Sequence, residues 1–270
     1  MTRVLRPREW AYPIAPVERE VLTASPVEAE ADRQRPPILF VPGLGHGAWA
    51  FAARWLEHAA GRGFPAYAMS LRGHGDSAAA PRTSIRAYTH DVTQVAARLP
   101  RQAVLVGHGT GALAVARTLA RYPARAGVLV CPVFGGPGTA FNALRHNPAG
   151  TVPALFGGRL RLRRGQLFGR ELPASAAREF AAQVKAPAAP LAQWQLLVGP
   201  SVEDPVGDPP VLVAGSPDDR VVPRRSLERA ARRYGGAPLL FPGMGHDVML
   251  DARWQEPIDA ILDWVDKTVQ

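Results

Sequence analysis

Short apolar runs closed by proline or glycine alternate with stretches of helical periodicity along most of this chain. "PPILFVPG" (36–43) reads as a buried strand, and "AWAFAARWLEHAAGRG" (48–63) as the helix after it. "FPAYAMSL" (64–71) predicts a second strand, and "SIRAYTHDVTQVAARL" (84–99) a second helix with Ser84 as its cap. "QAVLVG" (102–107) and "ALAVARTLARY" (112–122) form a third pair, stopped by Pro123. "AGVLVCPV" (126–133) is a fourth strand, and "EREVLTA" (18–24) offers another upstream. Strands alternating with helices imply a mostly parallel sheet with helices on both faces.

Residues 134–200 break this rhythm. Short amphipathic pieces ("TAFNALRHNP", "VPALFGG", "AREFAAQV") lie between glycines and prolines, as in an inserted helical cap. The alternation resumes with "PPVLVAGSP" (209–217), "RRSLERAARRYGG" (224–236), "APLLFPG" (237–243) and "EPIDAILDWVDKTV" (256–269). Ile258, Ile261, Leu262 and Val265 give the last helix one apolar face. The expected organisation is a core of 1–133 and 201–270 interrupted by a cap of 134–200.

Composition narrows the picture. A hydrophobic fraction of 47% over 270 residues fits a folded domain. No apolar run has the ~18 residues of a membrane span. The N-terminal "MTRVLRPREWAYPIAP" lacks the apolar centre of a signal peptide, so the expected location is cytoplasmic. One cysteine, Cys131, excludes an internal disulfide. No metal or other cofactor is expected, since His46, His74, His108 and His246 show no helical ligand spacing. The formal charge of +9 raises the question of nucleic acid, but the basic residues are spread arginines with only two lysines, a pattern of GC-rich coding. The densest basic stretch, "GGRLRLRRGQLFGR" (157–170), could bind an anionic partner, and the favoured reading is a solvated basic face. The expected partner is a small-molecule substrate rather than nucleic acid, and a homodimer stays open.

The chemistry gathers at "VGHGTGA" (106–112), a glycine turn between a strand and a helix. Its G-x-G-x-x-A pattern is that of a dinucleotide fingerprint. Such a site needs a carboxylate at the end of the next strand to hold the ribose. Here that strand ends "VLVCPV", without one.

The other motifs give the turn a different meaning. With "FVPGLGHGAWAF" (40–51), "LRGHGDS" (71–77), "AGSPDDRVVP" (214–223) and "FPGMGHDVMLD" (241–251), it resembles the α/β-hydrolase fold superfamily over almost its whole length. The order elbow, acid, histidine is that of this fold. The resemblance implies His246 as catalytic base and Asp219, four residues before Pro223, as the acid. Counting from Gly215 instead selects Asp218. It implies an oxyanion hole from the main-chain amides of Leu44 and Thr110. His46 and His108 are candidates to line the pocket, and the favoured reading of His108 is packing beneath the elbow. At the nucleophile position it puts Gly109, where the family carries serine.

Glycine cannot form an acyl-enzyme. A histidine–aspartate base with an oxyanion hole could still drive ester or lactone hydrolysis by water, or another proton transfer. Cys131, at the end of the strand after the elbow helix, offers a substitute nucleophile; its structural reading is a small buried hydrophobe. The alternative function is a catalytically inert, hydrolase-like binding protein.

Overall fold

The computed structural model describes residues 13–26, 35–80, 83–185, 187 and 189–269. The first twelve residues of the N-terminal stretch discussed above lie outside this set. Seven strands form one sheet: β1 (Val21–Ala24), β2 (Ile38–Val41), β3 (Ala66–Met69), β4 (Val104–His108), β5 (Ala126–Val130), β6 (Val211–Gly215) and β7 (Leu239–Leu240). The spatial order is β1-β3-β2-β4-β5-β6-β7. Among the described residues, only the β1–β3 pairing is antiparallel. This is the α/β-hydrolase architecture the motifs imply, with a mostly parallel sheet.

Strand alternation makes two cores. Ile38, Phe40, Val104, Val106 and Val128 point to one face, against helices α1 (Trp49–Ala52), α2 (Trp55–Gly61) and, late in the chain, α11 (Gln255–Thr268). Leu39, Val41, Leu105 and Leu129 point to the other, against α3 (Ile85–Ala96), α4 (Thr110–Leu119) and α10 (Arg224–Arg233). Both faces are covered, so the central strands read as unbroken apolar runs rather than alternating ones. Each fully buried Phe, Leu or Ile contributes ~2 kcal/mol.

Local details follow the expected signals. The Ser84 hydroxyl accepts the Ala87 amide and caps α3. The expected helix over 48–63 is instead two, because Arg54 takes φ −152° between α1 and α2. Its guanidinium donates to the Asp251 carbonyl at 2.6 Å, which ties the break to the C-terminal part of the chain.

Between β5 and β6 run five helices: α5 (Pro137–His146), α6 (Pro148–Leu155), α7 (Arg164–Leu167), α8 (Ala174–Gln183) and α9 (Pro190–Val198). Asn147 ends α5 and caps α6, its side chain accepting the Gly150 amide. Among the described residues, no helix is long and apolar enough to cross a membrane.

Candidate active site

The motif residues sit just past the C-terminal ends of parallel strands: Leu44 and His46 after β2, Gly109 after β4, Asp219 after β6 and His246 after β7. In open α/β sheets this edge is where ligands bind.

The three glycines of the turn do different work. A Cβ at Gly107 would lie 2.6 Å from the Ala112 Cα, and one at Gly111 would lie 2.4 Å from the Pro42 carbonyl oxygen. Those two positions must be glycine for α4 to pack against β4 and β2. Gly109 differs. It holds φ +56° and ψ −120°, the strained conformation of a nucleophile elbow. A Cβ there would meet His246 Nε2 first, at 3.2 Å, with the Gly43 Cα next at 3.7 Å. The turn keeps this backbone without a side chain at Gly109, and its open Cβ direction faces His246 Nε2.

His246 Nδ1 donates to Asp219 Oδ2 at 2.7 Å. This leaves Nε2 as the acceptor that faces the elbow, a tautomer assigned from the hydrogen bond. Asp219 Oδ1 accepts the main-chain amides of Val221 (2.7 Å) and Val222 (3.1 Å), which fix the carboxylate. Burial works against a charged His246, but the Asp219 carboxylate outweighs it and the imidazole pKa is raised. Asp218 is exposed and accepts the Gly243 amide at 2.8 Å. Of the two sequence candidates, the geometry pairs Asp219 with the histidine.

The oxyanion region departs from the expected arrangement. The Leu44 amide donates to the Thr110 hydroxyl at 2.7 Å, so one of the two expected donors is taken up internally. Thr110 N, at the first position of α4, has no partner within its helix.

Sequence reasoning missed Asp247. This buried carboxylate accepts from His46 Nε2 at 2.9 Å and lies 3.6 Å from His108 Nε2, which instead meets the His246 carbonyl at 3.0 Å. His46 follows β2, His108 ends β4 and Asp247 follows β7, so one carboxylate joins three loops of the site. Burial raises the cost of its charge, yet His46, with its hydrogen bond, holds its pKa low. Burial, then the neighbouring His246, pushes His108 down to about 3 and keeps it neutral. For Asp247, the available signal was its position directly after His246 in "GMGHD".

Cys131 is fully buried at φ +45° and is not among the cavity-lining residues. Burial, then the Asp219 carboxylate, pushes its thiol pKa well up. That setting suits a protonated neighbour of the acid rather than a nucleophile. Among the described residues, two groups have metal-compatible ligand spacing, His46–His108–Asp247 and Cys131–Asp219–His246, each with ligand atoms within 4.8 Å of one another. In the first, His46 Nε2 and His108 Nε2 are already committed to hydrogen bonds.

A cavity of about 120 Å³ opens at Gly109 and His246. The rest of its wall comes mainly from the inserted helices: Ala140 and Ala143 of α5, Ala154 and Leu155 of α6, Leu196 and Leu197 of α9. The segment between β5 and β6 also holds the loop that carries His246. The His246 and Asp247 amides donate to the Gln166 (3.2 Å) and Leu167 (2.8 Å) carbonyls of α7.

The sequence profile of the alpha/beta hydrolase family matches residues 38–263. The chain belongs to this family. Among solved structures it resembles a thermophilic esterase from Thermogutta terrifontis at 16% identity and TM-score 0.71, over 94% of this chain and 95% of that one. It resembles a monoacylglycerol lipase of Paleococcus ferrophilus at 19% identity and TM-score 0.66, over 93% and 98%. It also resembles Est816, described as degrading N-acyl homoserine lactones, at 19% identity and TM-score 0.67, over 92% and 97%. At these identities the likeness is one of fold. No curated protein matches the chain.

Proposed function

We propose that this family member is a small-molecule enzyme in which the His246–Asp219 pair acts as general base without a covalent serine intermediate. The observation that carries this is the position of His246 Nε2, 3.2 Å from where a Cβ on Gly109 would stand and at the wall of an apolar cavity. The reaction class is ester or lactone hydrolysis, or a related proton transfer. In hydrolysis, Nε2 takes a proton from water as the water oxygen adds to the carbonyl carbon. The carbon–oxygen bond to the leaving group then breaks, and the imidazolium returns its proton to that oxygen. Asp219 orients the ring and stabilises the imidazolium. The Thr110 amide polarises the carbonyl. The esterase and lactone-degrading relatives support an acyl substrate.

One observation favours the inert reading: the Leu44 amide is already satisfied by Thr110. Two variants decide between the readings, assayed on p-nitrophenyl esters and acyl lactones. His246→Ala should lower turnover by ~100-fold or more, the usual range for a general base. Turnover unchanged by that substitution would end the base reading. Gly109→Ser should restore serine-type esterase activity, with a burst on p-nitrophenyl esters, because the elbow already has the required backbone.

A further inference from the structure

A second cavity, of about 320 Å³, adjoins the first and shares Leu44, Leu160 and Leu162 with it. Its polar walls are Arg159, Arg161 and Lys185, with no carboxylate among its lining residues. These three cations form no ion pair among the described residues. Some arginines elsewhere do have carboxylate partners, as Arg72 has Asp91 at 2.7 Å, Arg62 has Asp263 at 2.7 Å and Arg253 has Glu256 at 3.1 Å. The backbone beneath the cations is held in place. The Arg161 amide donates to the Gly150 carbonyl at 3.1 Å, and its own carbonyl accepts Asn147 Nδ2 at 2.6 Å. The Lys185 amide donates to the Gly45 carbonyl at 2.8 Å, next to the proposed oxyanion region.

Three like charges around one pocket repel each other unless an anion joins them. Arginine meets carboxylate or phosphate oxygens in a planar, two-pronged geometry, and lysine adds a point charge. The adjoining cavity is apolar. We propose that the side pocket receives the anionic oxygen group of an amphiphilic ligand, carboxylate or phosphate, whose apolar body lies in the cavity at His246. This deepens the proposed function and rests on it only in taking that cavity as the place of the substrate's body.

The test is calorimetric binding of octanoate, octyl phosphate and octanol to the whole protein at low salt. The two anions should bind about tenfold tighter than octanol, the scale of a few partly exposed charge contacts acting together. Affinity should rise from acetate to octanoate as the chain fills the apolar cavity. The triple variant Arg159→Ala, Arg161→Ala, Lys185→Ala should bring the anions to the octanol level and leave octanol unchanged. These side chains are exposed, and an unaltered melting temperature checks the fold. Octanol binding as tightly as octanoate would overturn the proposal. So would an unaffected triple variant, or binding to phosphatidylglycerol vesicles without binding to monomeric octanoate. The readout needs no turnover: octanoate affinity is compared between the wild-type protein and the triple variant, whose substitutions lie in the side pocket and leave His246 in place. A failed catalytic reading with intact octanoate binding, and the reverse, are therefore separate results.

Discussion

At the scale of single residues, Thr110 is the one whose role the geometry changes. Its hydroxyl accepts the Leu44 amide, so a substrate carbonyl must compete with it for that donor. Thr110→Ala removes the competitor and leaves both main-chain amides. The net value of one neutral hydrogen bond is ~1 kcal/mol, so kcat/KM for a carbonyl substrate should rise about fivefold. Stability should fall by a similar amount, read as a lower urea midpoint. A drop in kcat/KM would mean that the hydroxyl itself contacts the carbonyl. The sequence could not show this bond, because it joins residues that lie 66 positions apart. It could show Gly109, because the five motifs define the position that glycine fills. It could not say why the neighbouring glycines are there. Only packing reveals that Gly107 and Gly111 answer to steric contact, whereas Gly109 faces the base.

At the scale of elements, the strands and core helices were legible because two buried faces leave continuous apolar runs and capped amphipathic segments. The helix over 48–63 was misread as unbroken because its break depends on Arg54 reaching Asp251, a tertiary contact without a local signal. The inserted helices were legible only as an interruption; their contacts with the base loop were not. That junction centres on Asp251. Its Oδ2 accepts the Gly169 amide at 2.8 Å and the Gly245 amide at 2.7 Å, and its Oδ1 accepts the Ala252 amide at 2.8 Å. The carboxylate thus joins the end of the α7 segment to the loop carrying His246. Asp251→Ala strands buried donors, at ~1–3 kcal/mol for each. The expected loss is several kcal/mol, seen as a lower melting temperature, together with a fall in whatever turnover depends on His246. Asp251→Asn, which keeps one acceptor oxygen, should lose less. Equal losses in both variants would mean that charge rather than hydrogen bonding holds the junction.

At the scale of the whole molecule, buried histidines set how folding depends on pH. His74, in the "RGHGDS" loop, is buried against Tyr88 with ring centroids 5.8 Å apart. Burial pushes its pKa down to about 4, and burial with the adjacent His246 pushes His108 to about 3. Both groups are neutral in the folded state, while the unfolded chain takes up a proton near pH 6.5. Folding stability tied to them is therefore complete above that pH and is lost progressively as pH falls towards 4 and 3. His246 acts in the opposite direction. Its raised pKa gives stability that is present below the unfolded value and is lost as pH rises through the folded one. His90 is also pushed down by burial, so three depressed histidines stand against one raised and predict a urea midpoint that falls on going from about pH 7.5 to about pH 5, with His74 and His108 each contributing ~2 kcal/mol at the lower pH. His74 is outside the cavity wall and tests this without touching the site. Its Nδ1 meets the Arg72 carbonyl at 3.2 Å, a contact that an asparagine amide can replace. His74→Asn should flatten the pH dependence by about the contribution of one histidine. An unchanged slope would mean that His74 titrates alike in the folded and unfolded chains, and that the acid sensitivity lies with the other depressed histidines, His90 and His108.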